Sequence, residues 1–186
     1  MPTVKRLTAL QQFIKDKPPP EEAIGLSLAG ERKENALYMV AWLRANGLPP
    51  RCSHSSPNQW VSMYRGKNIC DVFIGHSTFA RDDWRIKLKL AHMETYAQAI
   101  HRENLSGYIV GSTGYCVYSE RSPYHGMKKA PGCGPRKPCR GGTSQTVLGQ
   151  EVHHVCHYGE GFLNPGLEAI QNIGKLLTLE KTARAG

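Results

Sequence analysis

The sequence lacks any apolar run long enough to span a bilayer, which needs about 20 consecutive apolar residues as a helix. Its opening residues, Met1-Pro2-Thr3-Val4-Lys5-Arg6, carry no apolar signal core, and no lipidation box is evident. A cytoplasmic location is therefore expected. Long polar tracts and runs of like charge are also missing, which argues against large-scale disorder. Acidic residues are absent from Arg121 to Gln150, where six basic residues stand: Arg121, Lys128, Lys129, Arg136, Lys137 and Arg140. A stretch of that charge attracts phosphates or another anionic partner, or else it is a solvated loop offsetting bound thiolates.

What is present suits a globular chain. It has 186 residues, 40% of them hydrophobic and 21% charged, with a formal net charge of +9. At this length folding removes roughly 70% of the unfolded chain's accessible surface, enough to build a core without staples. Six cysteines (52, 70, 116, 133, 139 and 156) in a reducing compartment are expected to be buried thiols or metal ligands, not disulfides. Cys70, within the apolar alternation Ile69 to Ile74, is expected in the core.

Apolar spacing organises the chain. Val4, Leu7, Leu10, Phe13 and Ile14 predict a helix from about 3 to 16, ended by Pro18-Pro19-Pro20. A second helix is predicted over 32 to 46, stopped by Asn46-Gly47 with Pro49-Pro50 beyond. Trp60 to Tyr64 and Ile69 to Ile74 predict a hairpin around the Gly66 turn, with a third strand at Trp84 to Leu88. Helical spacing returns over 90 to 104, followed by short strands at Tyr108 to Val110 and Tyr115 to Tyr118. A coreless loop from Ser119 to Gly142 leads to a second hairpin, Thr146 to Cys156, turning at Gly149-Gln150. Asn164 as N-cap and Pro165 in the first turn open a closing helix with Leu167, Ile170, Ile173, Gly174 and Leu177 on one face. The expected fold class is α+β: a mainly antiparallel sheet with flanking helices and a metal-pinned Cys/His loop. It forms one domain over 1–186, with a helical N-terminal segment over 1–50, a sheet with a middle helix over 58–118, a basic loop and hairpin over 119–157, and a closing helix over 164–182.

The Cys/His-rich segment carries the chemistry. Zinc is held by about four soft or borderline ligands in a tetrahedron, commonly one pair on a turn and another on a nearby strand. Cys133 and Cys139 form a candidate pair on a Gly/Pro-rich turn, with a spacer longer than the common two to four residues. On a regular strand, His154 shares a face with Cys156 and is separated from His153 and His157. The expected structural zinc ligands are Cys133, Cys139, Cys156 and His154, with Cys116, His125 and His157 as competitors for the fourth place. The competing readings are buried thiols with surface histidines, or a low-pKa reactive cysteine.

The C-terminal third resembles a family of small bacterial proteins. The likeness rests on Cys139, the run Thr146-Val147-Leu148-Gly149-Gln150-Glu151, Val155-Cys156, Phe162, Asn164-Pro165, and the helix from Glu168 through Leu177. Upstream, Asn58, Trp60, Tyr64, Gly66-Lys67, Ile69-Cys70 and Trp84 are similar to that family's tryptophan and Gly-Lys hairpin. The sequence departs in having Gln150 where a lysine is usual, in His153 and His154, and in a longer stretch between Trp84 and Cys133. The resemblance implies a shared fold and cysteine site; no activity is established for the family, so it implies none.

Three functions follow from these residues. The first is a binding module whose Lys128, Lys129, Arg136, Lys137 and Arg140 contact nucleic acid or another anionic partner, with Tyr118, Tyr124 or Tyr158 able to stack on bases. The second is a metal-dependent hydrolase or nuclease, since His153 and His154 resemble the strand histidines of HNH-type nucleases, although the expected later histidine or asparagine is hard to place. The third is a small-molecule sensor with a pocket near Trp60, Tyr64 and Trp84, against which stands the ordinary role of sheet aromatics as core. Gly111 to Gly114 lacks the strand, lysine and helix context of a phosphate loop.

Overall fold

The structure is a computed structural model and describes residues 18–53, 56, 58–75, 82–112, 143–155 and 161–186. The expected helix from about 3 to 16, the expected strand Tyr115 to Tyr118 and the loop Ser119 to Gly142 lie outside these residues. Pro20, expected from the sequence to end a helix, is instead the first residue of α1, Pro20–Ser27, a helix that apolar spacing does not predict. Proline at the first helical position loses no hydrogen bond, since that N–H has no partner within the helix anyway. Glu21 and Glu22 in the same turn complement the helix dipole.

Helix α2, Gly30–Ala45, closely matches the predicted span. Its end is a Schellman motif: Leu48 N–H donates to Leu43 O at 2.8 Å and Gly47 N–H donates to Arg44 O at 3.1 Å. The Arg44 guanidinium reaches back to both carboxylate oxygens of Glu21, at 2.7 and 3.1 Å, tying α2 to α1.

A five-stranded antiparallel sheet follows. Its strands are β1 (Arg51–Cys52), β2 (Gln59–Tyr64), β3 (Lys67–Ile74), β4 (Trp84–Leu88) and, from near the end of the chain, β7 (Phe162–Leu163). They lie side by side in the order β1-β2-β3-β4-β7. Arg65 and Gly66 both have positive φ, 48° and 75°, the pattern of a tight two-residue hairpin turn whose twist suits the flanking strands. In β3, Ile69, Cys70, Asp71 and Val72 are all buried in succession, so this central strand is covered on both faces. Trp60, Trp84, Ile69 and Ile86 are shut off from solvent and form the centre of the core with Met39 and Leu43 of α2.

Beyond β4 the expected helix over 90 to 104 is shorter: a 3-10 turn, Met93–Tyr96, runs into α3, Ala97–Arg102. The predicted strand Tyr108 to Val110 is instead part of a helix, α4, Ser106–Ser112. Local β preference in Tyr108-Ile109-Val110 yields to burial, because Leu105 and Ile109, one helical turn apart, are both fully buried.

Strands β5 (Thr143–Val147) and β6 (Gln150–Val155) form a separate two-stranded sheet, and Val147 is buried in the core. The turn falls at Leu148 and Gly149, with φ of 51° and 75°, one residue earlier than expected. The last element is α5, Leu167–Ala185, with Gly166 at its N-cap. Asn164 does not cap it. With φ at 44°, Asn164 instead pairs with the start of β4, its Oδ1 accepting from Trp84 N–H and its N–H donating to Trp84 O, both at 2.9 Å. The architecture is thus α+β, and no described helix is long and apolar enough to cross a membrane.

Candidate functional site

The most elaborate polar cluster among the described residues centres on one carboxylate of α5. Helical spacing continues the apolar stripe Ile173, Leu177 into Glu180 and then Arg184, so both charges are carried into the interior. The Glu180 side chain is fully buried and that of Arg184 is 5% exposed. Such a carboxylate is tolerated only when nearly every lone pair is used.

All of them find donors. Oε1 accepts from Ala91 N–H at 3.0 Å and from Arg184 Nε at 2.7 Å, and lies 3.0 Å from His92 Nδ1. Oε2 accepts from the Tyr96 hydroxyl at 2.7 Å and from His92 N–H at 3.2 Å. Burial alone raises the Glu180 pKa, but hydrogen bonds from His92, Tyr96, Arg184 and the Ala91 backbone outweigh it and hold the carboxyl at about 2. An ionised carboxylate only accepts, so Nδ1 of His92 is the donor in that contact. Burial and the bond to Glu180 push the Tyr96 phenol well above its ordinary range.

Arg184 is held independently of Glu180. Its Nη1 donates to Asn68 O at 3.1 Å and its Nη2 to Lys89 O at 2.6 Å. The Arg65 guanidinium in turn donates to Arg184 O and Ala185 O at 3.0 and 2.8 Å, satisfying carbonyls at the end of α5. Beside this cluster, Asp71 is buried and lies 3.6 Å from Lys89 Nζ. The arrangement joins α5, the β2–β3 turn and the segment after β4 through charge-assisted bonds. Neither Glu180 and Arg184 nor His92 and Tyr96 stand out as site residues in the sequence. The available signal is a Glu and an Arg four residues apart on an otherwise apolar helical stripe.

The residues that do stand out in the sequence fall elsewhere. Cys133, Cys139, Cys156, Cys116, His125 and His157 lie outside the described residues, as do Lys128, Lys129, Arg136, Lys137 and Arg140. Among the described residues no group of three or more His, Cys, Asp or Glu is placed to hold a metal ion. The backbone of β6 carries His153 and His154, and it is irregular at that point. Gln145 pairs with Val152 and Thr143 with Val155, so two steps on β5 match three on β6 and the extra residue falls at the two histidines.

Trp60 and Trp84 are buried core residues, and the Trp60 indole N–H donates to Pro18 O at 3.1 Å. Tyr64, half-buried, lies under two cations, with Lys181 Nζ at 5.5 Å and the Arg65 guanidinium carbon at 6.0 Å from its ring centroid. Among the described residues, these aromatics pack in the core or carry charges. An open groove of about 390 Å³ lies elsewhere, between α2 and α5, lined by residues including Tyr38, Trp42, Gln171, Gly174 and Lys175. Compared with protein-family models, curated proteins and solved structures, the chain matches none.

Proposed function

We propose that this chain is a binding module that carries a structural zinc subsite and uses an adjoining basic segment to engage nucleic acid or another anionic partner. One observation carries the reading: of the net charge of +9, the stretch from Arg121 to Gln150 supplies +6, six basic residues against no acidic one. Elsewhere 18 basic residues stand against 15 acidic ones, and several of them pair, as in Glu21 with Arg44, Asp82 with Arg32, Asp71 with Lys89, and Glu180 with Arg184. Positive charge concentrated in one stretch attracts a polyanion and releases its counterions.

In this reading Cys133, Cys139, Cys156 and His154 hold the zinc, which supplies the rigidity that a stretch with almost no apolar side chains cannot draw from a core. Lys128, Lys129, Arg136, Lys137 and Arg140 then face phosphates. The test has two arms. Metal analysis of protein purified without chelator is expected to give one zinc per chain, lost in Cys133→Ser and Cys156→Ser variants. Fluorescence anisotropy with labelled DNA and RNA is expected to show binding at low salt that weakens steeply as salt rises, by a slope of about −0.7 to −0.9 per phosphate contact. No binding to either polymer at low salt would remove the proposal.

A second reading, metal-dependent hydrolysis using His153 and His154, draws support from the bulge in β6, since bulges recur beside active sites. Nuclease turnover that survives replacement of both histidines by alanine would count against it.

A further inference from the structure

The segment after β4 is built as a receptor for a carboxylate, and the chain's own Glu180 fills it. Ala91 N–H, His92 N–H, His92 Nδ1, the Tyr96 hydroxyl and Arg184 Nε converge on one pair of oxygens, at 2.7 to 3.2 Å. The backbone donors, Tyr96 and Arg184 are positioned by contacts that do not involve Glu180, whereas the His92 ring is held by Glu180 itself. Lys89 N–H is bonded to Ile69 O at 2.9 Å, which continues the pairing of β3 with β4. Thr95 closes the turn on His92 O through both its N–H and its hydroxyl, at 2.9 and 2.7 Å. The Tyr96 side chain is in the core, and Arg184 is anchored on Asn68 O and Lys89 O.

We propose that residues 89–96 together with Arg184 form a preorganised binding site for a small carboxylate, of which Glu180 is the tethered occupant. Donors fixed before the ligand arrives impose little ordering cost on binding, so the site retains its affinity when the tether is cut. In a Glu180→Ala variant the atoms removed are a methylene and a carboxylate, which is the heavy-atom skeleton of acetate. His92, whose side chain is 37% exposed, gives the vacated site an edge toward solvent.

The experiment measures the stability of the Glu180→Ala chain by chemical denaturation in sodium acetate and in sodium chloride of equal ionic strength, with the native chain alongside. Acetate is expected to stabilise the variant in a saturable way, raising the folded-to-unfolded ratio about elevenfold at ten times its Kd, while the native chain shows no saturable gain. Acetamide has the same shape without the charge and is expected to do far less, and a Glu180→Leu variant, whose side chain fills the space, is expected to ignore acetate. If Glu180→Ala does not fold in chloride, the readout becomes recovery of the fold on refolding in acetate. Equal effects of acetate on variant and native chains, equal effects of acetate and acetamide, or no recovery would each overturn the proposal.

Discussion

A Cβ placed on Gly174 of α5 would lie 2.9 Å from Cε2 of the Trp42 indole on α2, closer than real Cβ contacts come. The two helices pack by setting a large ring against a residue with no side chain, so the helix-weakening glycine is needed for the approach.

The pair makes a prediction whose sign changes with background. Gly174→Ala in the native chain is expected to cost about 1–3 kcal/mol through overpacking. With Trp42→Ala already in place, the same change is expected to be neutral or to stabilise by up to about 1 kcal/mol, because alanine is the better helix former. A double-mutant cycle by urea denaturation measures both numbers. Additive effects would show that the indole and the glycine do not meet in solution.

Glu180 makes stability depend on acid. Its folded pKa, about 2, is depressed below the ordinary carboxylate value of 4.5, so the stability it contributes is present above pH 4.5 and is lost as the pH falls toward 2. The full contribution is on the order of 3 kcal/mol. Glu180→Gln is expected to be about 3–5 kcal/mol less stable at neutral pH, since it leaves Arg184 buried beside a neutral amide. That gap is expected to narrow as the native chain is taken from pH 5 to pH 2, and denaturation curves at four or five pH values would show it. A gap of constant size across that range would mean that the carboxylate charge is not what holds the cluster.

Cys70 is expected to be inert. It is fully buried on β3, and burial pushes its thiol up to about 12, with the nearby Asp71 charge adding and a bond with Ser62 opposing. At pH 8 its thiolate fraction is about 10⁻⁴, against about a quarter for an ordinary thiol. Alkylation followed by peptide mass mapping is expected to leave Cys70 unmodified in the folded chain and to label it at the rate of unfolding. Rapid labelling of Cys70 in folded protein would contradict its place in the core.

Where the sequence is legible, the signals are local. Asn46-Gly47 announces the end of α2 because a Schellman motif is made within a few residues, and the Gly66 turn locates the first hairpin for the same reason. Sequence and structure part where a local preference meets a distant partner. Pro20 reads as an ending because proline cannot continue a helix, yet it starts one just as well. Asn164 has the chemistry of an N-cap, but β4 lies beside it and takes its side chain. Tyr108 to Val110 has β composition, while the burial of Leu105 and Ile109 demands a helix.

By itself, then, the sequence determined the α+β class, the tight turns and the concentration of positive charge between Arg121 and Gln150, all of which depend on neighbours along the chain. Only the tertiary structure decided that Glu180 would meet Ala91, His92 and Tyr96, which lie 84 to 89 residues away along the chain. A buried carboxylate is costly until its donors arrive, and those donors are brought to it by the packing of α5 against the segment that follows β4, a process that no short window of sequence records.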